Sequence, residues 1–173
     1  MEPEPLTVVD YDEAWPQRFE QLRAHLLPAV GALAVAVEHV GSTAVPGLAG
    51  KPIIDVDVVV PDPASVPAAI GALTALGHRH RGDLGIPGRE AFTAVPGLPP
   101  HHLYVVVAGS PPYRDHVDLR NHLRTHRTDA ERYAAEKRRL SGLLATDREA
   151  YVEGKVWLVR ELLARARSGA TQL

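Results

Sequence analysis

The sequence contains no cysteine among its 173 residues. This absence excludes disulfide bonds, thiolate metal sites and a cysteine nucleophile, and it favours a reducing, cytoplasmic location. Aromatic residues make up only 5% of the chain, and the net charge is −2. Proteins that bind single-stranded nucleic acid interleave basic and aromatic side chains on a basic surface. We therefore expect no nucleic-acid partner.

Long hydrophobic runs are also absent. No apolar stretch approaches the roughly 20 residues that a membrane-spanning helix requires, so we expect no membrane partner. The acidic opening MEPEPLTVVDYDE has no apolar core, and we do not expect it to act as a signal peptide. Lysine is scarce as well, because arginine supplies all but three of the 19 Lys and Arg residues. Lys51, Lys137 and Lys155 are therefore candidates for specific roles.

Hydrophobic periodicity predicts a single α+β domain over residues 1–173, with a sheet core at about 6–110 and a helical cap at about 115–168. Within the core, strands are predicted at 35–40, 53–60, 92–95 and 103–107, with short ones possible at 6–9 and 78–81. Helices are predicted at about 12–31, with Asp12 as the N-cap, and at about 66–76. The T-x-x-E capping boxes at Thr128 and Thr146 divide the cap into helices at 115–126, 129–144 and 147–166.

Two aspartates lie one residue apart in the apolar strand IIDVDVVV. Because strand residues alternate faces, Asp55 and Asp57 point the same way, and their repulsion requires either a shared proton or a cation. Carboxylate ligands without thiolates suit Mg²⁺ or Mn²⁺. The simpler alternative is that both aspartates cap loops at the strand end. Carboxylates inside an apolar strand are costly to bury, however, unless they serve a function such as metal binding. We therefore predict that they hold a metal.

Other side chains near this strand are candidates for binding phosphate. Gly41 and Ser42 form a turn after the preceding strand, where backbone N–H groups and a hydroxyl can approach an anion. Lys51 precedes Asp55 by four residues and can pair with phosphate or with the aspartates, unless it is a solvated loop lysine. Arg89 follows Gly88 in a loop and can clamp a phosphate through two hydrogen bonds, although a plain surface arginine is equally consistent with the sequence.

The segments HVGSTAVPGL and KPIID closely resemble the signature of the GrpB family, in the nucleotidyltransferase superfamily with its polymerase-β-like fold. GIPGRE, HHLYVV and AYVEGK resemble further family segments in the same order. The resemblance implies a small mixed sheet flanked by helices. It also implies that Gly41 and Ser42 hold nucleotide phosphates, that Asp55 and Asp57 chelate a divalent cation, and that Lys155 of the EGK segment points toward the cleft.

The chain departs from the superfamily pattern at one point. The resemblance implies a third carboxylate on a later strand, but residues 103–107 contain none. His102 and Tyr104 occupy that strand face instead, and Glu90 is the nearest acidic candidate. We predict that His102 acts with Asp55 and Asp57 in catalysis.

Whether the protein is an enzyme stays open at this point. One hypothesis is a metal-dependent nucleotidyltransferase that acts on a nucleoside triphosphate and a small-molecule acceptor. The other is a non-catalytic module that binds a nucleotide or a coenzyme A precursor, because family members also occur fused to dephospho-coenzyme A kinase.

Overall fold

The computed structural model describes residues 7–169. Of the edge strand expected at 6–9, Leu6 therefore lies outside the described residues, and Val9 forms one isolated bridge with Gly50. The first helix, α1, is Trp15–Val30, and its buried side chains form the predicted stripe. Asp12 is not its N-cap: Ala14 holds that position, and the Asp12 carboxylate accepts a hydrogen bond from the Ala14 N–H at 2.8 Å.

Four strands form a mixed sheet, as predicted. They are β1 Ala36–Val40, β2 Ile54–Val60, β3 Arg89–Phe92 and β4 His101–Val107, in the spatial order β1-β2-β4-β3. The β2–β4 pair is parallel, and the two outer pairs are antiparallel. The strand expected at 92–95 was misplaced, because β3 ends at Phe92. The possible strand at 78–81 amounts to one bridge from His80 to Phe92.

The two faces of the sheet differ in character. Val56, Val58, Leu103 and Val105 point to one face, are almost fully buried, and pack against α1 and the second helix, α2, which is Val66–Ala75. The alternate residues point to the other face. Strand register places Asp55 beside His102 and Asp57 beside Tyr104 there, so the fold concentrates polar side chains on the face turned away from the apolar core.

Three C-terminal helices cover this polar face. They are α3 Pro111–Thr125, α4 Arg127–Leu140 and α5 Arg148–Gly169. Neither predicted capping box forms. Helix α4 begins before Thr128 and has no side-chain cap, whereas α5 is capped by Asp147, whose carboxylate accepts the Ala150 N–H at 2.9 Å. In the part of the chain that the structure describes, no helix is long and apolar enough to cross a membrane.

Helix α5 buries a different stripe from the one its valines suggest. Its buried residues are Tyr151, Leu158, Leu162 and Leu163. Val152 is 49% exposed, and Trp157 is 51% exposed beneath the guanidinium of Arg132. Residues four apart share a helix face, so the buried Tyr151 places Lys155 on the side of α5 that faces the sheet.

Candidate functional site

A cleft of about 220 Å³ lies between the polar face of the sheet and α3–α5. It brings together most of the side chains that the sequence indicated as site residues. Those that line it are Gly41, Ser42, Lys51, Asp55, His102 and Lys155. The C-terminal helices add His116, Arg120, Tyr133, Lys137 and Tyr151. Residues far apart in sequence therefore meet in one polar cavity.

Gly41 brings the turn after β1 against the first aspartate. Its φ is +73°, in the left-handed region that favours glycine. A Cβ placed on Gly41 would lie 2.2 Å from Asp55 Oδ2, closer than any side-chain carbon can approach. The glycine is required both by the backbone conformation and by contact with this carboxylate. Ser42 then begins a short 3₁₀ turn at the floor of the cleft.

Each aspartate is paired with a histidine. His102 Nδ1 donates to Asp55 Oδ1 over 2.9 Å, and His116 Nδ1, from α3, donates to Asp57 Oδ2 over 2.8 Å. A histidine whose Nδ1–H is held by a carboxylate has its Nε2 free to act as an acceptor. His116 was missed in the sequence, because a lone histidine in the helical run RDHVDLRNHLR carries no signal of its own.

Asp57 is the more deeply placed carboxylate, with no solvent exposure. Burial raises its pKa, although the hydrogen bond from His116 opposes the shift. Burial lowers the pKa of His116, but the hydrogen bond to Asp57 and its negative charge outweigh that effect and raise the pKa overall. The pair therefore holds a shared proton over a wider pH range than either group would alone.

Asp55 and Asp57 carry the carboxylate oxygens that a divalent cation in this site would require. Asp57 Oδ1 is buried and has no hydrogen-bond partner among residues 7–169, but Asp57 is not one of the residues that line the cleft. Asp55 has an oxygen beyond the one that His102 engages. Within the same described residues, no group of three or more His, Asp or Glu side chains is arranged to hold a metal. A two-carboxylate set fits Mg²⁺, which usually completes its shell with water and substrate phosphates.

The chain's three lysines all line this cleft. Lys137 is 2% exposed, and its Nζ donates to Ser42 Oγ at 2.8 Å and to the carbonyl oxygen of Ala49. Lys155 Nζ lies 4.2 Å from the Tyr151 ring centroid, and Lys51 Nζ lies 5.4 Å from it. Among the described residues, none of the three lysines forms an ion pair with a carboxylate. The positive charge that the lysines bring into the cleft is therefore not matched by direct ion pairs, although Asp55 lies in the same cleft.

Burial and mutual repulsion shift these ammonium groups in one direction. Burial, followed by the charge of Lys51, lowers the pKa of Lys155 to about 8. Burial, followed by the charges of Lys155 and Arg138, lowers the pKa of Lys137 well below its usual value. The pKa of Lys51 is lowered by burial and by Arg148. An anion among them would relieve the repulsion and restore their charge.

Glu90 does not supply the missing carboxylate. It is in register with Val105, so it lies on the face of the sheet opposite Asp55 and Asp57. Its carboxylate is 2.6 Å from His80 Nε2. The acidic residue that the sequence did not indicate is Glu38, which pairs with Asp57 across β1 and β2 and accepts from Arg120 at 2.7 Å. Glu38 is therefore already engaged in an ion pair with Arg120.

Arg89 lies outside the cleft lining. It begins β3 at the sheet edge, and its guanidinium carbon is 4.4 Å from the centroid of the Tyr104 ring. Its Nε is buried and has no hydrogen-bond partner in the described part of the chain. The sequence grouped Arg89 with the nucleotide-binding residues, but the structure places it beyond Tyr104, apart from the lysines.

His39 and His101 make contacts outside the lining of the cleft. His39 stacks on Phe19 with ring centroids 4.7 Å apart and bonds to Thr43 Oγ1. Burial lowers its pKa to about 4. His101 points away from the cleft and donates from Nδ1 to the Pro99 carbonyl oxygen at 2.7 Å. Both rings hold loops in place.

Comparison with known proteins places this geometry in context. The GrpB protein family profile matches residues 5–165. A UPF0157 protein of Pseudomonas aeruginosa is 36% identical over 168 residues, which cover 93% of this chain and 67% of that protein. A dephospho-CoA kinase of Mycolicibacterium paratuberculosis is 35% identical over 77 residues, covering 43% of this chain and 19% of the kinase.

Two solved structures resemble the fold. The conserved protein GrpB from Enterococcus faecalis superimposes with a TM-score of 0.83 and 27% identity, covering 94% of this chain and 98% of that one. The Cid1 poly(U) polymerase, solved with MgGTP bound, gives a TM-score of 0.50 and 13% identity, covering 76% of this chain and 42% of that one. At that identity the likeness concerns the fold alone. The predicted nucleotidyltransferase-like α+β fold is thereby confirmed.

Proposed function

The chain belongs to the GrpB family, and we propose that its cleft binds a nucleoside triphosphate and transfers the nucleotidyl group to a small-molecule acceptor. One observation carries this proposal: three lysines without carboxylate partners among the described residues converge on the cleft that contains Ser42 and Asp55. Buried unpaired ammonium groups are costly. A polyanion such as a triphosphate would offset that cost.

The lysines and the turn have the first role in this proposal. Lys51, Lys137 and Lys155 bind the phosphate oxygens, and Ser42, held by Lys137 at 2.8 Å, presents its hydroxyl beside them. Asp55 and Asp57 would hold a Mg²⁺ or Mn²⁺ ion, and a bound cation of this kind polarises a phosphoryl oxygen and offsets its charge. The buried Asp57 Oδ1 supports this assignment.

The Asp55–His102 pair has the second role. Because its Nδ1–H is held by Asp55, His102 presents Nε2 as a base that accepts the proton of the acceptor hydroxyl. The acceptor oxygen bonds to the α-phosphorus, the bond from that phosphorus to the bridging oxygen breaks, and pyrophosphate leaves. The proton remains on His102, so atoms and charge balance.

Thermal unfolding with each nucleoside triphosphate, with and without Mg²⁺ or Mn²⁺, tests the proposal. We expect at least one nucleotide to raise the Tm of the wild type and to leave the Lys137→Met and Asp55→Asn variants nearly unchanged. Arg127→Met, which removes a highly exposed arginine, serves as the matched control and should respond as the wild type does. Absence of stabilisation by every nucleotide, or equal stabilisation of all four proteins, contradicts nucleotide binding.

A second candidate function is a non-catalytic module that binds a nucleotide or a coenzyme A precursor. It is favoured by the site face of β4, which carries His102 and Tyr104 in place of a third carboxylate, and by the partial match to a dephospho-CoA kinase. Pyrophosphate release separates the two functions. Binding of dephospho-coenzyme A or ATP without any pyrophosphate release supports the module, whereas release that Asp55→Asn abolishes supports the transferase.

A further inference from the structure

Arg89 has the features of an anion-binding side chain. Its guanidinium lies 4.4 Å from the centroid of the Tyr104 ring, and its buried Nε donates to nothing among residues 7–169. No ion pair connects its guanidinium to a carboxylate in the same part of the chain. Contact with an aromatic face orients the planar guanidinium, and a buried Nε–H that lacks an acceptor is a donor that a carboxylate or phosphate oxygen would satisfy.

The position of Arg89 separates it from the lysines. Register places Asp57 beside Tyr104 and Arg89 beside Val106, two residues further along β4. Beyond the effect of burial, the charge of Arg89 shifts the pKa values of Asp57, Tyr104 and His116. The pKa values of Lys137 and Lys155 are instead shifted, again beyond the effect of burial, by other lysines and by Asp55. The two cationic groups therefore flank the aspartates from opposite ends.

This separation has a chemical consequence for a transfer reaction. A nucleotidyltransferase must place two substrates on either side of the reacting phosphorus, with the acceptor oxygen opposite the leaving pyrophosphate. The lysine end of the cleft suits the triphosphate. The Arg89 end, beyond Tyr104, then lies on the side from which an acceptor would approach.

We propose that Arg89 binds an anionic group of the acceptor, so that the acceptor is a hydroxyl-bearing carboxylate or phosphate ester. This inference rests on the proposed function and gives Arg89 a role different from nucleotide binding. Tyr104 is the positioning residue that holds the guanidinium flat. The ring remains a neutral phenol, because burial raises its pKa to about 12.

The Nε–H signal of Arg89 in ¹⁵N-resolved NMR spectra provides a direct test. The signal is assigned by its loss in Arg89→Lys. Glycerate, sn-glycerol 3-phosphate and neutral glycerol are then titrated into full-length protein whose lysines are saturated with tripolyphosphate. We expect a saturable shift with glycerate, with glycerol 3-phosphate or with both, and none with glycerol. The two anions distinguish a carboxylate-bearing from a phosphate-bearing acceptor.

Variants separate this inference from the proposed function. Arg89→Lys should weaken binding of the responding anion by about tenfold, because lysine lacks the planar fork, while leaving nucleotide stabilisation unchanged. Arg81→Lys, at an exposed arginine near the same strand, should change neither. A flat Arg89 signal up to tens of millimolar anion, or a response that tripolyphosphate abolishes, overturns the inference. Failure of every nucleotide to bind overturns the proposed function while the Arg89 response can still be read.

Discussion

Gly41 sets the distance between the turn after β1 and the first aspartate. We predict that Gly41→Ala abolishes nucleotide stabilisation, since the added Cβ would lie 2.2 Å from Asp55 Oδ2 and force the carboxylate away. The backbone conformation itself, with φ +73° and ψ −171°, costs a non-glycine residue about 1–3 kcal/mol. Gly47→Ala is the control, because Gly47 has a similar φ of +79° but no atom within 4 Å of the added carbon.

Both variants should lose free energy of unfolding from backbone strain, measured by urea denaturation, and Gly41→Ala should lose more, because the φ of +73° and ψ of −171° at Gly41 form a conformation that essentially only glycine adopts. Only Gly41→Ala should lose the Tm increase that nucleotide produces. Equal nucleotide responses in the two variants would show that contact between Gly41 and Asp55 is not needed for binding.

Lys155 gives the cleft a pH dependence. Its pKa of about 8 means that the free protein loses this positive charge as the pH rises through that value. We predict that affinity for tripolyphosphate falls between about pH 7 and 9 in the wild type. Lys155→Arg stays charged throughout and should show a flatter profile by isothermal titration calorimetry. A wild-type profile as flat as that of Lys155→Arg would contradict the role of Lys155.

Helix α5 carries Lys155 and Tyr151, and its start depends on a single cap. We predict that Asp147→Ala lowers the free energy of unfolding by about 1 kcal/mol, because the Ala150 N–H loses its acceptor. Thr146→Ala is the matched control one residue earlier and should be nearly neutral, since no hydrogen bond joins its side chain to the helix start in the described structure. Urea denaturation measures the free energy of unfolding of both variants. A larger loss in Thr146→Ala than in Asp147→Ala would contradict the Asp147 cap and favour the T-x-x-E capping box.

The elements that the sequence predicted well are those whose signal is local. The unbroken apolar character of β2, the stripe on α1 and the alternation of Asp55 and Asp57 follow from chain geometry alone. In helix α5 the helical spacing of Val152, Val156 and Val159 favours a valine face toward the core, yet Val152 is exposed and Tyr151 is buried. Its orientation depends on packing against α3 and α4, which periodicity within one helix does not encode.

Across the whole molecule, the cleft joins residues from two halves of the chain. The sequence indicated the half from Gly41 to His102, where the residues lie in or next to strands. It missed His116, and it noted Lys137 without assigning it to the site, because on a charged helix such residues look like a solvated face. Their role follows only from α3 and α4 folding over the sheet. The scarcity of lysine was the one sequence signal that pointed to Lys137.

The unpaired lysines should cost the protein stability. The folded-state pKa of Lys155, about 8, lies below its ordinary value of 10.5, so the unfolded chain binds the proton more tightly and the wild type should become more stable as the pH rises from 8 toward 10.5. We predict that Lys155→Met raises the free energy of unfolding at pH 7 by about 1–3 kcal/mol and weakens nucleotide binding.

Denaturation at pH 7 and pH 10 measures both parts of this prediction. The stabilising effect of Lys155→Met should shrink at the higher pH, where the wild-type ammonium is no longer charged in the folded state. A variant that is less stable than the wild type at pH 7 would indicate that the contact of Lys155 with Tyr151 outweighs the burial of its charge.

Because all three lysines line one cleft, an amine-reactive reagent would modify this protein's side chains at that cleft alone. Reagents that acylate amines usually label many surface lysines of a protein at once. Here every side-chain amine lines the cleft, and burial lowers the pKa of all three lysines, that of Lys155 to about 8. Apart from the α-amino group, a fluorescent amine-reactive dye would therefore attach inside the cleft, where its emission would report occupancy without an engineered cysteine.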